Sequence, residues 1–316
     1  MNTLLKSKTD ILRVKREVET NESTIYTHHC ISKNSIDDST ITIVMTSSNR
    51  SKQTYYTLDT IQRSAYKNVQ VILVDDSTDD PIRIDKLNTY PFSIEFIVID
   101  RDKKFWHNPC VNYNIGFKFI KGGNIIIQNA EVCHVGDVLS YIQPLFCDDH
   151  YFVFDVATCA NYGANDTIYV SDTTTTDIYK QGHLFDIWYQ SETRNLNYHF
   201  MSALTRHTFE KIKGFSYDYA FGRSYDDDDL LLRIISNQDN RIVCCHHTTS
   251  HCGGIHLFHV RNSNTTGWDH GINGRELNET LYKAKKKYLD KYKVYLEVSE
   301  TAETFDETYS KLARCE

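Results

Sequence analysis

Proline and glycine are scarce in this chain, at 4 and 13 of 316 residues. That shortage rules out collagen-like, proline-linker and glycine-rich disordered architectures. Basic residues are not in excess either. Lys and Arg number 35 against 42 Asp and Glu, for a net charge of −7, which argues against a nucleic-acid binder whose affinity rests on releasing counterions from phosphates. No apolar run approaches the roughly 20 residues of a transmembrane helix, and the N-terminal stretch MNTLLKSKTDILRVKREVE lacks the apolar centre of a signal peptide. The nine cysteines are odd in number and follow no framework spacing, with Cys244 and Cys245 adjacent. Free thiols in a reducing, cytoplasmic setting are therefore expected. The glycine-rich phosphate loops, the Gly-x-Ser-x-Gly elbow and His-Glu-x-x-His are all missing, which argues against nucleoside triphosphatases, serine hydrolases and zinc peptidases.

What is present is an ordinary globular composition, 40% hydrophobic and 24% charged, in a chain long enough for a large core. Residues 1–40 are polar, with one amphipathic stretch around Leu4 to Val18, and read as an appendage or arm. From Ile41 the pattern changes. The runs ITIVMT, VQVILVDD, SIEFIVID and NIIIQN have the length and β-branched content of buried strands, and QTYYTLDTIQRSA and VNYNIGFKFI lie between them with helical spacing. Such alternation predicts a mostly parallel sheet covered by helices, with ligands bound beyond the carboxyl ends of its strands. A helix near 136–146, a strand YFVFDVAT, a long loop over 160–194, a strand and helix over NYHFMSALTRHTFEKI and a strand RIVCC follow. In the helical tail the basic run KAKKKYLDKYK reads as a solvated face rather than a membrane-binding one.

Polar residues gather where such a sheet presents ligands. Thr46, Asn49 and Arg50 follow the first strand and Asp75-Asp76 the second; Asp100-Arg101 follow the third. The sequence DDSTDD is also good turn sequence, so base recognition and turn formation stand as equal readings there. After the fourth strand, Asn129 and Glu131 have the i, i+2 spacing of two oxygen ligands on one side of an extended chain, suited to Mg²⁺ or Mn²⁺. Further on, GFSYDYAFGRSYDDDDLLLRI leads four consecutive aspartates, Asp226 to Asp229, into an apolar run. Carboxylates in a first helical turn suit the macrodipole, yet four together at a core-forming helix point to a base or a cation-orienting group. The segment 244–259 is rich in His and Cys without paired Cys-x-x-Cys spacing; a structural zinc site, a catalytic-metal histidine and plain surface or core histidines are all open readings.

The order of motifs TIVMTSSNR, VQVILVDDSTDD and NPCVNYNIGFKFIKGGNIIIQNAEVCHVGD resembles nucleotide-sugar glycosyltransferases of family 2 with the GT-A fold, over about residues 41–260. The resemblance implies an α/β, Rossmann-like mixed sheet, mostly parallel and flanked by helices. On that reading residues 1–40 and 263–316 are helical N- and C-terminal extensions, and 41–262 the transferase domain. Its nucleotide-binding half is 41–135 and its acceptor-side half 136–262. The implied uracil contact is Asp76, with Thr46 alongside. Asn49, Arg50, Arg101, Asn114, Gln128 and Asn129 are the further expected nucleotide contacts. The family's Asp-x-Asp metal motif falls on Asn129-Ala130-Glu131, a departure that keeps one carboxylate, and the downstream metal histidine falls on His256 or His259. The aspartate stretch resembles the acceptor-side motif of inverting galactosyl- and N-acetylgalactosaminyltransferases. It implies Asp227 as catalytic base, its pKa raised by neighbouring like charges, and Asp226 as its partner. The expected activity is metal-dependent (Mn²⁺ or Mg²⁺) transfer of a hexosyl or N-acetylhexosaminyl group. The sugar moves from a UDP-sugar to a glycan or protein hydroxyl, with inversion. Retention, or a catalytically silent sugar-nucleotide or glycan-binding domain, is the alternative. Trp188 and Tyr189 are candidate acceptor contacts or loop anchors.

Overall fold

The computed structural model describes residues 8–190, 200–237, 240–260, 274–298 and 304–314. Twelve strands among them form two sheets. The chain enters the larger sheet with β1 (Tyr26–Ile31), β2 (Ile41–Ser47), β3 (Val69–Asp75), β4 (Ser93–Ile99) and β5 (Asn124–Gln128). It then alternates between the sheets through β6 (Val132–Val135), β7 (His150–Phe154), β8 (Val156–Cys159) and β9 (Phe185–Tyr189). The last three strands are β10 (Met201–Thr205), β11 (Arg241–Cys245) and β12 (Gly253–His256). The eight-stranded sheet runs β1-β4-β3-β2-β5-β10-β7-β11 and the four-stranded one β6-β12-β8-β9. Strands β4, β3, β2 and β5 are mutually parallel, while β1 and β10 pair antiparallel at either side. All seven residues of β3 are buried, the mark of a strand covered on both faces. The expected mixed α/β architecture is the one found.

Four segments depart from the sequence reading, each for a physical reason. Residues 8–31 are built into the body of the protein. Ile11, Val14 and Val18 of the helix Lys8–Thr20 lie in the same core cluster as Val111 and Ile115, and β1 extends the large sheet. Only the ends of β1 are buried, so this edge strand shows no burial period to read. YFVFDVAT is two strands in two sheets, divided at Asp155. LFDIWYQS, expected as loop, contains β9, whose half-exposed edge position likewise hides the alternation. In the tail, helix Gly274–Tyr292 buries Leu277, Leu281, Lys285 and Leu289. Their spacing of four puts Lys285 on the apolar stripe; the rest of the basic run reads correctly as solvated at Lys283, Lys286 and Lys287.

Candidate active site

The parallel strands β2, β3 and β5 end side by side, at Ser47, Asp75 and Gln128. Beyond them the two aspartates of β3 separate. Asp75 closes its own turn: its carboxylate accepts from Ser77 Oγ at 2.6 Å and from Ile82 N at 2.9 Å. Asn49, at φ 54°, serves the same turn, with Oδ1 accepting from the backbone N of Thr78, Asp79 and Asp80 at 2.9, 2.8 and 3.1 Å. Both are committed to loop structure. Asp76 is engaged elsewhere. Its Oδ2 accepts from Lys104 Nζ and, at 3.0 Å, from Asn112 Nδ2, and Arg101 Nη1 stands 3.5 Å away. Burial works to raise the Asp76 pKa, but the Lys104 ammonium outweighs it and holds the carboxyl below its usual range. Oδ1 of Asp76 is buried with no hydrogen-bond partner.

The helix Cys110–Phe117 supplies two asparagines with different duties. Asn112 sits between Trp106 Nε1, which donates to its Oδ1 at 2.8 Å, and Asp76. Asn114 turns away and clamps the backbone of Phe215, donating to its carbonyl at 2.8 Å and accepting from its N at 2.9 Å. Two helical positions differ by about 200° around the axis, so one of the pair must leave the cleft. Gln128 is also taken up by structure. Its fully buried amide donates to the Val132 carbonyl at 3.1 Å, and its Oε1 lies 2.8 Å from His134 Nε2; burial pushes His134 down to about 4. Tyr113 links Thr46 to Asn129. Its hydroxyl meets Thr46 and shares its proton between the Gln128 carbonyl at 2.8 Å and Asn129 Oδ1 at 3.0 Å.

Glu131 is 1% exposed and lies at the meeting point of three elements. Arg50 Nη1 donates to its Oε1, with His256 Nε2 at 3.4 Å and His259 Nε2 at 3.3 Å from the same atom. Burial pushes the Glu131 pKa up, but Arg50 and the two imidazoles overcome it and hold the carboxyl well below the usual range. His256 is pushed down by its own burial. The ligand atoms of Glu131, His256 and His259 lie within 4.8 Å of one another, and Glu131 Oε2 is buried without a partner. Around an ion held at about 2.0–2.2 Å, neighbouring ligand atoms sit roughly 3 Å apart. The donor set fits a divalent transition ion. Asn165 holds the histidine strand in place, donating to the Phe258 carbonyl at 2.8 Å and accepting from Phe258 N at 2.7 Å. The rest of the histidine-rich segment parts company here: His246 and His247 gather on Asp155 rather than on Glu131.

The aspartate stretch closes the cleft from the other side. It forms the first turn of helix Asp226–Ser236, entered through Ser224 and Tyr225 at φ 62° and 67°. Asp226 Oδ1 accepts from Asn108 Nδ2 at 3.0 Å, and the backbone N of His107 and Asn108 both donate to the Ala220 carbonyl at 3.0 Å. The segment ahead of helix Cys110–Phe117 and the aspartate helix are thereby joined directly. Asp227 and Asp228 are half-buried. Asp229 is fully buried and occupied: Tyr219 and Tyr295 hydroxyls donate to it at 3.0 and 2.7 Å, and Lys285 Nζ lies 3.4 Å away. Asn108, Asn112, Lys104 and Tyr113 escaped the sequence reading. Only their places beside a strand end or on a site-facing helix could have signalled them.

The family model for glycosyl transferase family 2 matches residues 42–231. The chain belongs to glycosyl transferase family 2. Among solved structures, this family 2 glycosyltransferase is similar to GalNAc-T7 with UDP, GalNAc and Mn²⁺, at 12% identity and TM-score 0.54. That match covers 87% of this chain and 55% of the other. It is also similar to residues 1–349 of TarS from S. aureus in complex with UDP-GlcNAc, at 8% identity and TM-score 0.52, covering 87% and 81% of the two chains. At such identities the likeness shows the shared GT-A fold. A search of curated protein sequences returned no match. No helix among the described residues is long and apolar enough to cross a membrane.

Proposed function

We propose that this glycosyltransferase moves a sugar from a UDP-sugar to an acceptor hydroxyl, with inversion and with a divalent cation. The observation that carries the reading is that one short stretch of chain touches all three groups: Asn112 donates to Asp76, Asn108 to Asp226, and Tyr113 to Asn129, two residues before Glu131. On this reading Asp76 Oδ1, buried and without a hydrogen-bond partner, accepts the N–H of a uracil ring, and burial makes such a contact discriminating. Arg101, 3.5 Å from Oδ2, stands beside it. A cation held by Glu131, His256 and His259, with Asn129 beside them, would offset the charge of the departing diphosphate. Arg50, now on Glu131, is a natural partner for a phosphate oxygen, since its planar fork suits phosphate as well as carboxylate. Asp227 takes the proton of the acceptor hydroxyl as that oxygen attacks the anomeric carbon from the face opposite the diphosphate. Asp226, fixed by Asn108, orients the acceptor. UDP and Mn²⁺ in GalNAc-T7, and UDP-GlcNAc in TarS, support the donor class.

Asp227→Asn should lower transfer by a factor of about 10²–10⁴, the usual worth of a general base, while UDP binding measured by calorimetry stays as before. Unchanged turnover would remove Asp227 from the role. A catalytically silent binding domain is the second reading, favoured by Asn129 where the family has an aspartate. Labelled product from a panel of UDP-sugars rejects it.

A further inference from the structure

A second group of ligand-type side chains lies where the chain passes from the large sheet to the small one. β7 ends at Phe154 and β8 begins at Val156, so Asp155 alone makes the crossing. A second crossing runs beside it. β11 ends at Cys245, in register with Phe154, and continues through His246 and His247 toward β12. Asp155 N donates to the Cys245 carbonyl at 3.4 Å, and Gly254 N donates to the Asp155 carbonyl at 2.9 Å. These backbone bonds fix where the Asp155 carboxylate stands, and its side chain is fully buried.

Two imidazoles meet on one oxygen of that carboxylate. His247 Nδ1 is 2.6 Å and His246 Nε2 3.6 Å from Asp155 Oδ2. Successive residues of a strand point to opposite faces. These two turn the same way because the chain enters the short helix His247–Ser250, with His246 as its N-cap. Their rings stack at 4.8 Å. A tetrahedral ion with ligand bonds of about 2.0–2.1 Å separates its ligand atoms by about 3.3 Å, and the two observed distances bracket that spacing. His246 Nδ1 pairs with Thr248 Oγ1 at 2.7 Å, the kind of outer hydrogen bond that orients a ligating ring. His247 and Thr248 also line a cavity of about 480 Å³ together with Trp188 and Lys180, and the two imidazoles keep 18% and 17% exposure. An ion has a way in, and a water has room to be its fourth ligand.

We propose that Asp155, His246 and His247 form a divalent transition-metal site, suited to Zn²⁺, which pins the two sheet crossings together. One carboxylate and two imidazoles suit zinc better than Mg²⁺ or Ca²⁺. The site shares no residue with Glu131, His256 and His259, so it stands or falls apart from the sugar-transfer reading.

The test is a Zn²⁺ titration of the metal-stripped full chain against a chromogenic chelator. His246→Gln/His247→Gln should lose one equivalent relative to the unaltered chain, whatever the Glu131 group binds. The same number of equivalents in that variant, with unchanged far-UV circular dichroism, overturns the proposal. His256→Gln/His259→Gln leaves the Asp155 group intact and provides a second measurement. With Co²⁺ it should show the intense visible absorption of a four-coordinate ion. The weak spectrum of a six-coordinate aquo ion in its place overturns the proposal, however the first variant folds.

Discussion

At the scale of single residues, Asp76 shows how burial and charge combine. Its folded pKa is held below the usual value near 3.9, so the folded state favours the charged form. The stabilisation is fully present above about pH 4 and is lost as the pH falls through the folded value. Asp76→Asn leaves the Lys104 ammonium buried without its anion, a change that typically costs about 3–5 kcal/mol. Urea denaturation should show that deficit at pH 7 and show it shrinking as the pH falls through the folded value, where the Asp76 carboxyl becomes neutral as well. A deficit independent of pH would mean that packing, not charge, sets it. The sequence placed the Asp75-Asp76 pair correctly beyond a strand but left its division of labour open. Which carboxylate closes the turn depends on Ser77 and Ile82 folding back, a contact that no motif encodes. Asn112 and Asn114 make the same point, since both fit the pattern and only the helix orientation separates them.

At the scale of elements, two buried asparagines act as backbone clamps. Asn114 holds Phe215 ahead of the aspartate helix, and Asn165 holds Phe258 between the two histidines of the Glu131 group. Asn165→Ala frees the Phe258 amide and leaves its carbonyl to Gln53 alone, and lost support of this kind costs about 10–100-fold in metal affinity. A Mn²⁺ titration should show that loss; an unchanged affinity would mean that Gln53, which also donates to the Phe258 carbonyl, at 3.3 Å, is clamp enough. The aspartate helix has its own anchor. Lys285 Nζ lies 2.8 Å from Asp218 and 3.4 Å from Asp229, with all three side chains fully buried. Lys285→Met removes the buried ammonium shared by Asp218 and Asp229, leaving Arg233 as the cation beside Asp229, and should destabilise the protein by about 3–5 kcal/mol in urea melts. The neighbouring exposed Lys286→Met should stay within about 0.5 kcal/mol. This anchor was legible in principle from the fourfold spacing of Leu277, Leu281, Lys285 and Leu289. The surrounding lysines concealed it.

At the scale of the whole molecule, the parallel strands could be read from the sequence because each is a continuous apolar run. The edges could not. β1 exposes four of its six residues and β9 is mostly half-buried, so they carry little pattern, and residues 1–40 looked detachable. Residues 8–31 are not. Removing residues 1–31 would strip β4 of its antiparallel partner and take Ile11, Val14, Val18 and Ile25 out of the core. Each such side chain is worth about 1.5–3 kcal/mol, and a bared strand edge invites association. Size-exclusion chromatography should show aggregate in place of a single soluble species; a monodisperse, folded product would make the segment an appendage after all.

The bond from Tyr295 to Asp229 spans 66 residues of sequence, and it gives the aspartate helix a place in time as well as in space. A chain emerging from the ribosome makes Asp226 to Asp229 well before it makes Lys285 and Tyr295. Until those arrive, Asp229 has only Arg233 at 3.5 Å and the Tyr219 hydroxyl, and burying it is less favourable. The helix that bears the proposed base therefore settles among the last parts of the molecule. A nascent chain can hold its nucleotide-side strands long before it can do chemistry.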